Sequence, residues 1–411
     1  MHVLLVGGGG REHALAWRIA QSPLLRRLST TDPNPGVLAL GAELSSGDPV
    51  AWARDHAVDL VVVGPEGPLS EGLVDRLAAV GIPAFGPRQD AAQLEASKAF
   101  ARQFMDEHGI AGPRWSAHTD AASAHGAVEA FGACVVKADG LAAGKGVIVA
   151  DDAAQAHAAV DEVLGGRFGG ARVVIEERLS GPELSVLALC DGVRAVPLLP
   201  ARDHKRRYDR DQGPNTGGMG AVCPPPGLDP ALVERVRVEV LQPTVDGMAA
   251  RGTPFRGLLY AGIMLTPAGP RVLEFNTRFG DPECQPLMRM LDEDLLPLLL
   301  ACATGSLPER PLRWKPGVAC CLVVVNGPYP DSGPKGMPIE GLEAAGEVRD
   351  VVVFQAGTAL VEGRVVVNGG RVLGVTAIGA DLAHARREAY AAAALLRFPG
   401  ADLRSDIGLS E

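Results

Sequence analysis

Aromatic residues are scarce. Phe, Trp and Tyr together make up 4% of the 411 residues, so the interior has to be built mainly from Val, Leu and Ala. No long block of like charge occurs, and the formal net charge is −10. That balance excludes a nonspecific grip on nucleic acid or on an anionic membrane surface. It leaves room for an anionic small substrate at a local Lys/Arg cluster. None of the seven cysteines forms a Cys-x-x-Cys pair, and their number is odd. Scattered reduced thiols fit this better than a disulfide frame or a zinc site. The longest apolar runs, such as Leu295–Ala303 and Val318–Val325, fall short of the roughly 18 residues a membrane span needs. The N-terminus has no basic region and no long apolar stretch, so no secretory signal is expected and the expected location is cytoplasmic.

What is present fits a folded globular chain of two to four units, with 47% apolar and 21% charged residues. Over residues 1–96 short apolar runs (Val3–Val6, Val58–Val63, Ile82–Phe85) alternate with helical patterns (Glu12–Ile19, Glu71–Val80), which predicts a parallel sheet covered on both faces. Ligands in such sheets bind at the carboxyl ends of the strands. From about residue 113 to 190 the pattern becomes a small α+β lobe, inserted in a larger unit spanning 97–308. Residues 201–227 read as one long functional loop, and Leu291–Thr304 as a helix kinked by its internal proline. A last unit, 309–411, holds strands at 318–325, 347–354, 364–367 and 371–377. Asn368-Gly369-Gly370 reads as the hairpin turn between the last two. The fold class expected is α/β and α+β multidomain.

Five segments carry chemistry. Gly7-Gly8-Gly9-Gly10-Arg11 follows a strand and opens a helix, a place where backbone N–H groups hold phosphate. A dinucleotide fingerprint fits neither register of these glycines, although Asp32 lies near where a ribose-binding acid would sit. A plain tight turn is the other alternative. Lys137 through Lys145-Gly146-Val147 resembles a P-loop but fails it, because Gly146 and a strand follow the lysine. A glycine-rich hairpin between strands reads instead as a lid able to close over a triphosphate. Glu176-Glu177-Arg178-Leu179 ends a strand just before Glu183, where exposed backbone can read an adenine edge. Glu274 and Asn276 share one strand face, as two hard oxygen ligands suited to Mg²⁺, with Arg278 placed to offset charge on a transferring phosphoryl group. Asp203-His204-Lys205-Arg206 and Gly213-Pro214-Asn215-Thr216-Gly217 combine acid, base and pliable backbone.

Taken in order, GGGGREHALAW, VVVGPEGPL, LEASKAF, VVKADGLAAGKGVIVA, DHKR, GPNTGGMGA, LYAGIM, EFNTRFGDPE and NGGRVLGVTA resemble the phosphoribosylamine–glycine ligase family, nearly end to end. The resemblance implies an ATP-grasp fold with a Rossmann-like N-terminal domain and a mixed-sheet C-terminal domain that completes the substrate site. It implies ligation of glycine to 5-phosphoribosylamine, with ATP as co-substrate, Mg²⁺ or Mn²⁺ as cofactor and an acyl phosphate between. Carried onto this chain, Lys98, Lys137, Gly140, Gly144, Lys145 and Gly146 would hold ATP phosphates, and Glu176, Glu177, Leu179 and Glu183 its nucleoside. Glu274 and Asn276 would be the metal ligands, and Arg278, Asp203 and Lys145 the catalytic groups. Gly9, Gly10, Arg11, Glu66, Lys205, Asn215, Gly280 and Asp281 would serve the substrates beside Asp203 and Arg278. Partners would be small molecules only, with no nucleic acid or membrane, in a monomer or weak homodimer. Departures from the family pattern fall at Asp32–Gly36, at Ala201-Arg202 and at Pro328. Rival readings are another ATP-grasp ligase or carboxylase of purine synthesis, a dinucleotide-dependent oxidoreductase and a non-catalytic ATP sensor.

Overall fold

The structure, a computed structural model, describes residues 1–141, 146–166 and 172–409. At the N-terminus five parallel strands lie in the order Glu43–Leu44, Arg27–Thr30, His2–Val6, Leu60–Val63, Ala84–Phe85. Alternation within the central strand explains why it is apolar throughout. Val3 and Leu5 join one core cluster, and Leu4 and Val6 another on the opposite face. Helix Gly10–Ile19 starts at the carboxyl end of that strand. The helix expected over 71–80 runs Leu73–Ala79, and Gly72 at φ 79° separates it from a short preceding helix, Glu66–Ser70.

Two antiparallel sheets follow. The small lobe orders its strands Trp115–His118, Val173–Glu177, Cys134–Ala138, Val147–Ala150, under helices Ala121–Phe131 and Ala153–Leu164. The larger lobe orders Ala195–Pro197, Glu183–Asp191, Arg256–Thr266, Gly269–Asn276. Helix Lys98–Glu107 links the N-terminal sheet to both.

Three sequence expectations are corrected. Residues 201–227 are not one long loop. Arg202–Asp203 and Gly220–Cys223 are strands, and the second pairs antiparallel with Val318–Asn326 in the C-terminal sheet. Gly220–Cys223 is wholly buried, and a Cβ on Gly220 would sit 2.6 Å from the Cys321 carbonyl oxygen, so glycine permits the close approach. Asn368–Gly370 does not turn a hairpin. Arg364–Val367 pairs back with Thr358–Val361, while Arg371–Gly379 pairs with Val318–Asn326 and Val351–Gln355. The glycines instead let two backbones touch: a Cβ on Gly357 would lie 2.7 Å from the Gly369 Cα. Finally, helix Leu295–Thr304 starts late, at the Asp294 cap. Pro297 therefore falls in the first turn, where its missing N–H breaks no helical bond. Pro243 sits in the helix that runs from 230 to 250, directly after a π-helical turn at Arg237–Leu241 that makes room for its ring. No helix among the described residues is long and apolar enough to cross a membrane.

His13 latches the first sheet to the last. Its Nδ1 accepts the Gln355 N–H at 2.8 Å, and its ring meets Phe354 edge-on. Burial lowers its pKa from 6.5 to about 4. The unfolded chain therefore takes up a proton near pH 6.5 that the folded chain resists until about pH 4, so stability rises with pH across that window. Urea melts should show about 2–3 kcal/mol less stability near the lower end from this group. His13→Asn, whose amide oxygen can still accept the Gln355 N–H, should flatten that pH dependence. An unchanged slope would contradict the assignment.

Candidate active site

The two antiparallel lobes and the C-terminal sheet enclose a cleft of about 890 Å³. Its inner wall is a buried ion cluster. Glu176, 2% exposed, takes Arg102 in two-pronged fashion, Nε to Oε1 at 2.7 Å and Nη2 to Oε2 at 2.9 Å. Lys137 Nζ approaches the same Oε2 at 2.8 Å. Burial alone would raise the Glu176 carboxyl, but Lys137 and Arg102 outweigh it and hold it below the usual carboxylate range. The strand Gly269–Asn276 bulges at Leu273, where pairing slips between Gly262 and Ile263. The Leu273 carbonyl accepts Lys137 Nζ at 3.0 Å and Arg102 Nη2 at 2.6 Å, and Val272 O accepts Arg102 Nη1 at 2.9 Å. A bulge leaves a carbonyl outside the ladder, and here it meets cations.

Lys98 lies beside Lys137 at the first turn of its helix. Asp139 caps that turn, accepting the Lys98 N–H at 2.7 Å, and Lys98 Nζ donates to Gly140 O at 2.9 Å. Burial lowers the Lys98 pKa, and the Lys137 cation lowers it further. An anionic ligand between the two ammonium groups would relieve that repulsion.

Glu274 and Asn276 both face the cleft while Phe275 packs in the core, as strand alternation requires. Burial pushes the Glu274 carboxyl up, but Lys205, Lys137, Lys98 and Arg278 outweigh it and keep it ionised. An ionised carboxylate beside an amide oxygen is a hard donor pair that fits Mg²⁺ or a similar divalent ion, provided phosphate oxygens and water complete the shell. Among the described residues no group of three or more His, Cys, Asp or Glu side chains forms a metal cage. Arg278 is clamped at the end of this strand. Its Nη2 is 2.8 Å from Glu95 Oε1 and 3.2 Å from Asn276 Oδ1, and its Nε is 3.2 Å from Glu66 Oε2. Burial works against the Arg278 cation, and the Glu95 and Glu66 carboxylates more than offset it, so its pKa is raised.

Further along, Asp203 Oδ1 is buried without a hydrogen-bond partner. Burial, together with the nearby Glu283, raises the Asp203 carboxyl well above its ordinary value. Glu283 accepts the Ser185 hydroxyl at 3.0 Å, and Ser185 Oγ is 2.9 Å from the Tyr260 hydroxyl. A close carboxylate pair with an open acceptor suits an ammonium group. Lys205 bridges Glu183, at 3.1 Å, and Glu274, at 3.9 Å. Asp281 holds Arg371 at 3.1 Å and Gln285 at 2.8 Å. Asp281, Arg371, Asn215, Thr216 and Gly217 line the cleft and also a second cavity of about 450 Å³ that reaches Gly9.

Of the residues singled out from sequence, Lys98, Lys137, Gly140, Gly146, Glu176, Glu177, Leu179 and Glu183 line the cleft. Glu66, Asp203, Lys205, Asn215, Glu274, Asn276, Arg278, Gly280 and Asp281 line it too. Arg11 also faces this cleft, with Nε 2.6 Å from Glu12 and Nη1 donating to Phe279 O at 3.0 Å, whereas Gly9 faces the second cavity. Gly10 lines neither; a Cβ on it would lie 2.8 Å from Gln285 Nε2. Glu176 has both carboxylate oxygens bound to Arg102 and Lys137 and so acts on any ligand through them. Gly144 and Lys145 lie outside the described residues. The glycine turn is filled from within: Gly9 N–H donates to Glu12 at 2.7 Å, and a Cβ on Gly8 would strike Asp32 at 2.5 Å. Sequence reasoning missed Arg102, Glu95, Glu283 and Arg371. An arginine amid apolar strand residues just after Asn-Gly-Gly was the one available signal for Arg371.

Comparison with known proteins gives the family and the fold. Family models for the phosphoribosylglycinamide synthetase N domain, ATP-grasp (A) domain and C domain match residues 1–95, 96–284 and 319–410. The chain is 53% identical to phosphoribosylamine–glycine ligase of Caulobacter vibrioides, over 99% of this chain and 97% of that one. It superposes on the crystal structure of phosphoribosylamine–glycine ligase from Thermotoga maritima with a TM-score of 0.88 and 32% identity, covering 99% of this chain and 100% of that one. A biotin carboxylase–beta-gamma-ATP complex from Campylobacter jejuni is similar at 16% identity and TM-score 0.75, over 98% of this chain and 92% of that one, a likeness of fold alone.

Removing Arg102 should leave a buried carboxylate half-paired. Arg102→Met is expected to cost about 3–5 kcal/mol in urea unfolding, with Arg102→Lys recovering part. A loss below about 1 kcal/mol would show that the cluster does not hold the lobes.

Proposed function

This chain belongs to the phosphoribosylglycinamide synthetase family, and from that membership we propose that it is an ATP-dependent ligase joining glycine to 5-phosphoribosylamine. The products are glycinamide ribonucleotide, ADP and phosphate. The observation that carries the reading is the continuity of two cavities. A lysine-walled cleft with a carboxylate–amide pair runs into a second pocket through Asp281 and Arg371.

The chemistry follows from the reactants. A carboxylate is a poor electrophile, so glycine must first be activated. Its carboxylate oxygen attacks the γ-phosphorus of ATP, ADP leaves, and glycyl phosphate forms. Lys98 and Lys137 offset charge on the phosphates, and Arg278 lies where charge on the transferring group develops. Glu274 and Asn276 would hold a divalent ion, which would supply positive charge against the phosphates. The paired carboxylates of Asp203 and Glu283 suit the glycine ammonium. The amine of phosphoribosylamine, entering from the Gly9 side, then attacks the acyl carbon. Phosphate leaves, and the amine gives up a proton. Glu176, Glu177, Leu179 and Glu183 border the expected nucleoside end.

ADP release should require Mg²⁺ and glycine, and amide formation should require phosphoribosylamine as well. Turnover that persists without glycine would favour another ATP-grasp ligase. Glu274→Gln should lower kcat about 100-fold or more at saturating Mg²⁺; near-wild-type turnover would remove Glu274 from the metal site. Arg371→Met should raise KM for phosphoribosylamine about tenfold, the order expected for a lost charge-assisted bond. An unchanged KM would place the amine substrate elsewhere.

A further inference from the structure

The small lobe carries a second cluster of ionisable side chains, and none of its members lines the cleft. Helix Ala121–Phe131 holds His125 and, four residues on, Glu129; helix Ala153–Leu164 holds His157 and, four residues on, Asp161. The local sequences are His-Gly-Ala-Val-Glu and His-Ala-Ala-Val-Asp. Residues four apart share a helical face, and the two motifs cross. His125 Nε2 is 3.0 Å from Asp161 Oδ1, and His157 Nε2 is 2.8 Å from Glu129 Oε1. The two Nδ1 atoms face each other at 2.6 Å. Fully buried Ala124, Val128, Ala156 and Val160 hold the helices in the lobe core beneath them.

An ionised carboxylate only accepts hydrogen bonds, so each Nε2 carries a proton. In neutral rings both Nδ1 atoms then present lone pairs to each other, an arrangement that a shared proton or a metal cation between them satisfies. We propose that the crossed His125/His157 pair is a binding site for a divalent transition metal ion, with Zn²⁺ the best-matched. Imidazole backed by carboxylate on its far nitrogen is the arrangement that fixes the tautomer of a metal-binding histidine and raises its basicity. Zinc–nitrogen bonds of about 2.0–2.1 Å would part the two Nδ1 atoms to about 3.3 Å at a tetrahedral ion. Side chains 32% and 31% exposed have room for that shift. With no third protein ligand in place among the described residues, the site is open and water fills its remaining positions. A bound ion would pin together the two helices that cover the sheet bearing Lys137 and Glu176.

The test is calorimetric titration of Zn²⁺ into untagged, chelator-dialysed protein, with excess Mg²⁺ to occupy the oxygen-rich cleft. One Zn²⁺ should bind per chain in the wild type, with at least tenfold weaker binding in His125→Gln and in His157→Gln. The wild type alone should gain melting temperature with Zn²⁺. Co²⁺ provides a readout that needs no variant, the visible absorption of a nitrogen-ligated ion. No Zn²⁺ uptake, as a lone shared proton between the rings would give, overturns the proposal. So does uptake of equal affinity in both variants, or a Co²⁺ spectrum of oxygen ligation alone.

Discussion

The buried carboxylate of Glu176, gripped by Arg102 and Lys137, is the constraint on which the cleft depends. Charges taken out of water cost several kcal/mol each, and a buried cluster is tolerable only when its geometry is complete. Completion here draws on three distant stretches of chain. A helix supplies Arg102, the small lobe supplies Lys137 and Glu176, and the Leu273 bulge of the large lobe supplies the carbonyl that both cations share. A one-residue slip in any of these strands would move a charge to the opposite face. The cluster therefore fixes the small lobe against the large one. It also joins Lys137 to the carbonyl of Leu273, the residue before Glu274, so Lys137 and Glu274 take their spacing from the same bulge.

Around this wall the cleft balances its own charge. Arg278 rests between Glu66 and Glu95, Lys205 between Glu183 and Glu274, and Arg371 against Asp281. Burial opposes each charged form, and the partner of opposite sign outweighs it at Glu274, Asp281, Arg278, Lys205 and Arg371. At two places burial is not outweighed: the Lys98 pKa stays lowered, with Lys137 beside it, despite Glu274 and Asp139, and the Asp203 carboxyl stays raised, with Glu283 beside it, despite Lys205 and Arg371. A bound anion would relieve the first and a bound cation the second. Preorganised groups of this kind act without reorganising when the reaction occurs.

Local chemistry was legible where it is written in adjacent residues. Glu274-Phe275-Asn276 reveals its two-faced strand by alternation alone, and the apolar runs at 3–6 and 60–63 reveal a sheet buried on both sides. Partners separated by long stretches of chain were not legible. Arg102 looks like any helical arginine until Glu176 closes on it, 74 residues away. Glu95 resembles a surface acid until Thr277 and Arg278 arrive. The hairpin expected at Asn368–Gly370 failed for a related reason: turn chemistry marks where the chain can bend, whereas here the glycines serve a backbone-to-backbone contact with Gly357. Gly220–Cys223 was hidden because four residues between glycine-rich segments carry too little periodicity to read as a strand.

That short strand decides how the second cavity is built. By pairing with Val318–Asn326 it fastens the segment bearing Asp203 and Asn215–Gly217 to the C-terminal sheet. Arg371 stands on the same sheet and donates to Gly217 O and to Asp281 O at 2.5 Å each. Asp281, in turn, follows directly from the strand that carries Glu274 and Asn276. The second cavity is thus rigidly referred to the main cleft through one arginine touching both. Reaction between an enzyme-held acyl phosphate and an incoming amine gains from such fixed orientation, because reacting groups held in line avoid the entropy cost of meeting. A C-terminal sheet joined to the cleft only by a flexible loop, as residues 201–227 first suggest, could not supply it.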